Sequence, residues 1–304
     1  MKGIQYLTHK QLDPDPWDNC IREASNGLIY AHSFYLDAMS KEWDALVLND
    51  YEAVMPLTWN KKYTINYLYQ PPFTASLGLF GKNVSAELLT QFLKAIPDKF
   101  KYWDISLNHG NFFQLKDFDL QARSNYVLDL SATYEVISNN YRENVSRNIK
   151  KSEQLSDTIR IGISVDDIIA LAKQQLSAVT KLENEDFVRF KNLFDILDKR
   201  KMAKAYGVYS SARQLLASAI FFFSHNRAYY ILVGNHPNSK ATGASHRLID
   251  AFIKDHAGQE MLLDFEGSDI RNLAFFYSSF GAIEEKYPAI KLNKLPAILR
   301  LFKS

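Results

Sequence analysis

Asp264-Phe-Glu-Gly-Ser-Asp-Ile-Arg-Asn-Leu-Ala-Phe-Phe-Tyr-Ser-Ser-Phe-Gly-Ala282 joins an acid-tipped strand to a short helix and a glycine stop. The apolar run Met261, Leu262, Leu263 leads into Asp264 and Glu266, and Gly267-Ser268 turns the chain. Asp269 stands where a helix N-cap belongs. Beyond it Leu273, Phe276 and Phe280 recur at helical spacing on one face, and Gly281 supplies a C-terminal stop. Alternation along the strand predicts Asp264 and Glu266 on one face, with Phe265 on the other. Two carboxylates that close raise one pKa, which suits a general base, while a salt bridge, for instance to Arg271, fits the same residues equally well.

Upstream of this corner one order of elements occurs twice: a strand meander, a loop, a helix and an acid-tipped strand. In the first half, Ala45–Asn49, Glu52–Thr58 and Tyr63–Tyr69 read as strands; Leu88, Leu89, Phe92 and Ile96 mark a helix, and Tyr102–Leu107 closes the set. In the second, Ala205–Ser210, Leu215–Phe223 and Tyr229–Val233 read as strands separated by Ser210-Ser211 and His225-Asn226. A helix from Gly243 then carries Leu248, Phe252 and Ile253 on one face. The order repeats while the residues do not. That predicts a duplicated α+β module with a mainly antiparallel mixed sheet flanked by helices, not a solenoid. The expected boundary puts residues 1–133 in the first module and 134–304 in the second.

Length agrees. A chain of 304 residues, 47% hydrophobic, buries a sizeable core and exceeds the size at which one core keeps growing. Lys and Arg number 36 against 34 Asp and Glu, so net charge supplies no general affinity for nucleic acid. Cys20, the single cysteine, rules out an internal disulfide and a thiolate-rich metal site; among Trp17, Ile21 and Ala24 it reads as a packing residue. No apolar run approaches the ~20 residues of a membrane span, and the polar first ten residues do not read as a signal peptide, so a cytoplasmic protein is expected. HExxH, GxSxG, P-loop and GxGxxG patterns are absent and the seven histidines lack ligand spacing, so neither a metal nor a nicotinamide is expected.

Two loops and one helix carry the remaining signals. Tyr134, Ile137, Tyr141, Val145 and Ile149 predict a connecting helix over 134–154, whose other side bears Arg142, Arg147, Lys150 and Lys151. Those cations fit phosphate contact and ordinary solvation alike. Lys240, Gly243, Ala244 and Ser245 lie in a small-residue loop that either cradles phosphate or simply starts a helix. At the matching place in the first module, Pro71 and Pro72 remove amide donors from Tyr69–Gly78. Tyr69, Gln70 and Thr74 there read as acceptor contacts or as a stiff turn. Asp104 and His109, at the end of the next strand, read as amine-orienting groups or as turn residues.

The corner at Asp264–Ala282, together with Glu143-Asn-Val-Ser-Arg-Asn-Ile-Lys-Lys151, resembles the carboxy-terminal signature and the basic segment of the FemABX family. The resemblance implies a tandem GNAT-like fold and transfer of an acyl or aminoacyl group to an amine. It places the donor's pyrophosphate on Lys240, Gly243, Ala244 and Ser245. Within that frame Glu266 reads as proton acceptor, Asp264 as its pKa-raising neighbour and Tyr277 as a hydrogen-bond donor near the reacting carbonyl, with Arg147 among the substrate contacts. Where the family commonly has Phe-Lys-x-x-Phe-Gly, this chain has Phe276-Tyr-Ser-Ser-Phe-Gly281, and a tyrosine supplies a hydroxyl but no charge. Three functions fit: an N-acyltransferase moving an acyl group from acyl-CoA to a small-molecule or peptide amine, an aminoacyl-tRNA-dependent peptidyltransferase acting on a cell-wall precursor, and a catalytically silent small-molecule binding protein.

Overall fold

A computed structural model describes residues 3–176, 182–267 and 269–295. They form two compact units: the chain up to Arg123 together with the segment from Lys286 onward, and Ser124–Glu285.

The first unit contains β1 (Ile4–Thr8), α1 (Pro14–Glu23), α2 (Ser33–Met39), β2 (Glu42–Leu48), β3 (Ala53–Lys62), β4 (Ile65–Tyr69), β5 (Phe80–Gly81), α3 (Ala86–Ala95) and β6 (Phe100–Ser106). Asp13 caps α1 by accepting the Asp15 N–H at 3.1 Å, and Pro14 occupies the first turn, where its missing donor costs nothing. Ser85 caps α3 through the Leu88 N–H at 3.2 Å. Leu89, Phe92 and Leu93 of α3 pack on Leu57, Leu68 and Trp103 of the sheet. Cys20 is buried on α1, and burial pushes its thiol up to about 11, as expected of a packing residue.

The second unit contains β7 (Gln121–Asp129), α4 (Tyr134–Asn139), α5 (Glu143–Gln154), β8 (Thr158–Ile161), α6 (Val165–Leu176), α7 (Asn184–Lys199), β9 (Ala203–Tyr209), β10 (Leu215–Ser224), β11 (Arg227–Asn235), α8 (Ser239–Thr242), α9 (Ala244–His256), β12 (Leu262–Asp264) and α10 (Arg271–Ser278). β13 (Ile283–Asn293) starts here and ends in the first unit. Strand β10 shows why both sheet faces are covered. Phe221 stacks on Phe252 of α9 at 3.8 Å, whereas its neighbour Phe222 points to the opposite face and stacks on Phe190 of α7 at 5.5 Å. Gly234 of β11 lets α6 come close, since a Cβ there would lie 2.9 Å from the Ala172 nitrogen.

Strand order within the first unit is β1-β2-β3-β4-β6-β13, with β5 on β3; within the second it is β7-β12-β11-β10-β9-β8. Among the described pairings, each unit has one parallel pair, β4 with β6 and β11 with β12, and the rest are antiparallel. The fold is thus α+β, with mixed, mainly antiparallel sheets flanked by helices, and the predicted strand–helix–acid-tipped-strand order is present twice. The sequence boundary at 133/134 differs from this division: β7 pairs with β12 in the second unit, and the end of β13 pairs with β6 in the first.

Three local expectations are corrected. The connecting helix is broken: α4 stops at Asn139 and α5 starts at Glu143, across the weak helix formers Ser138, Asn139 and Asn140. Asp269 does not cap α10; Ile270 holds that position, and Asp269 accepts the Ser124 N–H at 3.2 Å. Leu273 is exposed rather than packed beside Phe276 and Phe280. Ser268, assigned to the turn, lies outside the described residues.

Candidate functional site

In each unit the parallel pair stops pairing before the longer strand ends, leaving a fork. In the second, β11 and β12 stay paired from Arg227 opposite Leu262 to Tyr229 opposite Asp264, and β12 then ends. β11 continues to Asn235, and from Tyr230 onward no described strand pairs with its β12 side. Its other side carries a β-bulge: Ile220 faces Leu232 and Phe221 faces Tyr230, leaving Ile231 as the extra residue. Bulges interrupt the ladder and re-aim the backbone, and they concentrate beside active sites. Sequence reasoning missed this feature, because no residue type marks it.

The acid-tipped turn lies beside this fork. Asp264 is buried and ion-paired to Arg227, Oδ2 to Nη1 at 2.6 Å. Arg227 also reaches Glu285 through both terminal nitrogens at 2.9 Å. Burial opposes the Arg227 charge, but Asp264 and Glu285 outweigh it and raise the pKa above the ordinary value. Asn125 ties the corner together: its amide donates to Asp264 Oδ1 at 2.9 Å, and its carbonyl oxygen accepts the Gly267 N–H at 2.6 Å. The Glu266 N–H donates to Asp264 Oδ1 at 2.8 Å. The salt bridge considered for Asp264 therefore exists, with Arg227 in place of Arg271.

This wiring changes the role of Asp264. The strand ends at Asp264 and Glu266 adopts φ +66°, so strand alternation does not extend to Glu266. The Glu266 carboxyl is raised well above its usual value, and the cause is burial, not a neighbouring carboxylate. Asp264 holds the turn. Tyr277 is buried on α10, its ring stacked on Phe265 at 4.5 Å and edge-on to Tyr230 at 6.5 Å. Burial pushes its hydroxyl pKa up, and the charge of Glu266 adds to the effect. Glu266 is near enough to Tyr277 for its charge to act on the hydroxyl, while Asp264 is diverted into the ion pair.

At the opposite end of β11 the loop expected to take a donor's phosphates has a different physical logic from a phosphate cradle. Gly243 takes φ +80°, but its N–H donates to Ser239 O at 3.0 Å, and a Cβ would lie 2.2 Å from Asn148 O of α5. Its small size is needed for helix packing. Ala244 is buried, the Ser245 hydroxyl donates to Asn235 Oδ1 at 2.7 Å, and Lys240 is exposed on α8. Arg147 is exposed on α5, the helix that packs on this corner. Two tyrosines, Tyr134 of α4 and Tyr141 of the break before α5, donate to buried Asp250 of α9 at 2.8 and 3.2 Å.

The first unit's fork is closed. β4 and β6 are paired up to Tyr69 opposite Asp104, and the chain then loops back so that Leu77 forms a parallel bridge with Leu107. Gln70 fills the gap, accepting the Ser106 N–H at 3.0 Å and donating to Thr74 O at 2.8 Å. A cavity of about 10 Å³ remains, room for one water at most. The Tyr69 hydroxyl accepts the Lys41 N–H at 2.9 Å, and the buried Thr74 hydroxyl donates to Pro72 O at 3.2 Å. Asp104 is exposed and His109 opens a short 3-10 turn. Tyr69, Gln70 and Thr74 are therefore gathered into one loop whose polar groups bond within the protein. Asn26, Asn108 and Asn111 are buried and lock the segment that follows, all three donating to Leu79 O at 2.8 to 3.0 Å.

Among the described residues no group of three or more His, Cys, Asp or Glu side chains is placed to hold a metal, and no helix is long and apolar enough to cross a membrane. The sequence matches no protein-family model and no curated protein. Solved structures match over nearly the whole chain at low identity. FemX superposes with TM-score 0.67 at 12% identity, covering 99% of this chain and 100% of its own. L-PGS from Bacillus licheniformis gives 0.57 at 11%, covering 95% and 94%. A tandem GNAT protein from the clavulanic acid biosynthesis pathway gives 0.53 at 10%, covering 97% and 99%. The chain has the FemABX-like, tandem GNAT fold.

Proposed function

We propose that the second unit is an N-acyltransferase centre that moves an acyl group from acyl-CoA to an amine. Glu266 carries the reading: its carboxyl is raised by burial and stands on the turn after β12, beside the β11 edge that has left its strand partner. An acyl thioester laid along Tyr230–Val233 would present its carbonyl oxygen to backbone N–H groups near the bulge, which stabilise the developing oxyanion. The amine nitrogen attacks the carbonyl carbon, the C–S bond breaks, and Glu266 accepts the proton that the nitrogen sheds. A raised pKa makes Glu266 a stronger base than an ordinary carboxylate. The Tyr277 hydroxyl donates near the reacting carbonyl. Lys240, exposed on α8, offers positive charge to the donor's phosphates. The acceptor is a small-molecule or peptide amine, and the chemistry asks for no metal.

A second reading replaces acyl-CoA by an aminoacyl-tRNA, with a cell-wall peptide precursor as acceptor. Its support is α5, which exposes Arg147, Lys150 and Lys151 on one helix, a surface suited to a polyanion. Thermal-shift titration against acetyl-CoA, longer acyl-CoAs and charged tRNA separates the readings, since a ligand of the native state raises its apparent stability. Stabilisation by acyl-CoA, followed by acyl transfer to an amine seen by mass spectrometry, is expected. Stabilisation by charged tRNA alone would move the assignment to the second reading. Binding of either without transfer would leave a silent binding protein.

A further inference from the structure

A pocket of about 400 Å³ opens on the first unit, between α1, the turn from β2 to β3 and the stretch that leads from β5 into α3. That volume is within the range that holds a small organic ligand. Its lining residues belong to neither fork. Burial separates floor from rim. Cys20 and Ala53 are buried and Leu48 and Leu88 half-buried, so the floor is apolar. Glu23, Glu52 and Lys82 are exposed, so the charge stands at the rim.

The sheet brings the rim charges together. Ala53 pairs with Gly81 in the antiparallel β3–β5 ladder, and Glu52 and Lys82 are the next residues outward from that pair. Lys82 Nζ also lies 3.4 Å from Glu23 Oε2. Its charge reaches the floor, where it draws the Cys20 thiol pKa down against the burial that raises it. One lysine beside two glutamates leaves an excess of negative charge at the rim. Glu52 accepts the Asn49 side-chain N–H through Oε2 at 2.7 Å, and among the described residues its Oε1 receives no hydrogen bond.

We propose that this pocket binds a compact organic cation, a primary ammonium on a short apolar body. The ammonium donates to Glu52 Oε1, and the body covers Cys20, Leu48 and Leu88. A ligand that also carries a carboxylate fits less well, because Lys82 already neighbours Glu23 and a further negative group would meet two glutamates. A metal cation fits less well too, since the floor offers it no hard oxygen ligands. The site uses neither Glu266 nor an acyl donor, so it stands or falls apart from the proposed function.

The test is calorimetric titration of the full chain with isopentylamine, beside leucine, which adds a carboxylate to the same body, and isocaproate, which has the carboxylate alone. Saturable binding of isopentylamine is expected, with leucine at least about tenfold weaker and isocaproate not bound. Glu52→Gln keeps an acceptor for Asn49 but removes the charge, and should weaken isopentylamine at least about tenfold. Cys20, the one thiol of the chain, reports the place: bound amine should slow its modification by methyl methanethiolsulfonate several-fold. Leu88→Trp should fill the floor and abolish binding; if that variant misfolds by circular dichroism, Glu52→Gln and the thiol carry the test. No saturable binding, or binding that Glu52→Gln leaves untouched, would overturn the proposal. Binding without protection of Cys20 would overturn it as well, placing the amine elsewhere, for instance beside Glu266. Leucine bound as tightly as isopentylamine would overturn the choice of a cation.

Discussion

The two forks of parallel strands follow the same rule and end differently. In the first unit the chain returns to bridge Leu77 to Leu107, and Gln70 fills what is left with a carboxamide bonded on both ends. In the second, β11 runs on past Tyr229 with a bulge at Ile231, and a raised carboxyl stands beside it. A duplicated element order therefore gives one fork closed by its own loop and one built around titratable groups. Side chains in the loop after the strand, not the strands themselves, make the difference.

The largest effect that could break this comparison is catalytic. With acyl-CoA as donor, Glu266→Gln is expected to lower kcat by about 10² to 10⁴ while donor affinity persists, and Gln70→Ala to leave kcat unchanged. Single-turnover rates and calorimetry on both variants decide it; comparable losses of turnover in both would erase the distinction between the forks. Next in size is the ion pair under the second fork. Arg227→Met leaves Asp264 and Glu285 uncompensated, so urea denaturation should show a loss of about 3–5 kcal/mol.

Packing of α5 against Gly243 comes third. Gly243→Ala forces a methyl against the Asn148 carbonyl at a left-handed backbone position, and should cost about 1–3 kcal/mol. An unchanged denaturation midpoint there would mean that α5 can back away. A comparable cost, about 1–3 kcal/mol from the unsatisfied Ser106 N–H, is expected for Gln70→Ala, falling to the low end if a water enters the space.

The subtlest prediction concerns pH. A carboxyl whose folded pKa is raised binds a proton more tightly in the native state, so the stability it contributes is complete below its unfolded pKa. That stability is lost as pH rises towards the folded value. The wild type should therefore lose stability relative to Glu266→Gln between about pH 4 and the raised pKa of Glu266, and turnover should rise over the same window as the base is freed. Parallel stability profiles for the two proteins would show that Glu266 is not shifted.

Much of the fold was legible because it is local. Polar turns such as Ser210-Ser211 and His225-Asn226 punctuate the strands, and Leu248, Phe252 and Ile253 mark α9 by spacing alone. The acid-tipped strand and its helix stood where they were expected. What failed depended on distant partners. Arg227 finds Asp264 across 37 residues, and nothing in either segment announces the pairing. Two residues past the paired strand the alternation rule lapses, since Glu266 turns left-handed. Leu273 sits on the spacing of a buried face, yet a helix of eight residues projects its first turn beyond what it packs on. The edge strands β1 and β8 carry weak patterns, and Gln70 looked like a contact for a ligand because a sequence does not reveal that its own backbone has claimed the side chain.

The route of β13 sets an order of assembly. The second unit is one unbroken stretch, Ser124–Glu285, whereas β6 of the first obtains its β13 partner only from residues synthesised after that stretch is complete. During translation the amino-terminal unit therefore waits with a bare strand edge, and the unit that begins later can close first. Domains usually fold from the amino terminus, and an unpaired edge invites aggregation. On the ribosome, the part of this protein most in need of protection is the one that emerged earliest.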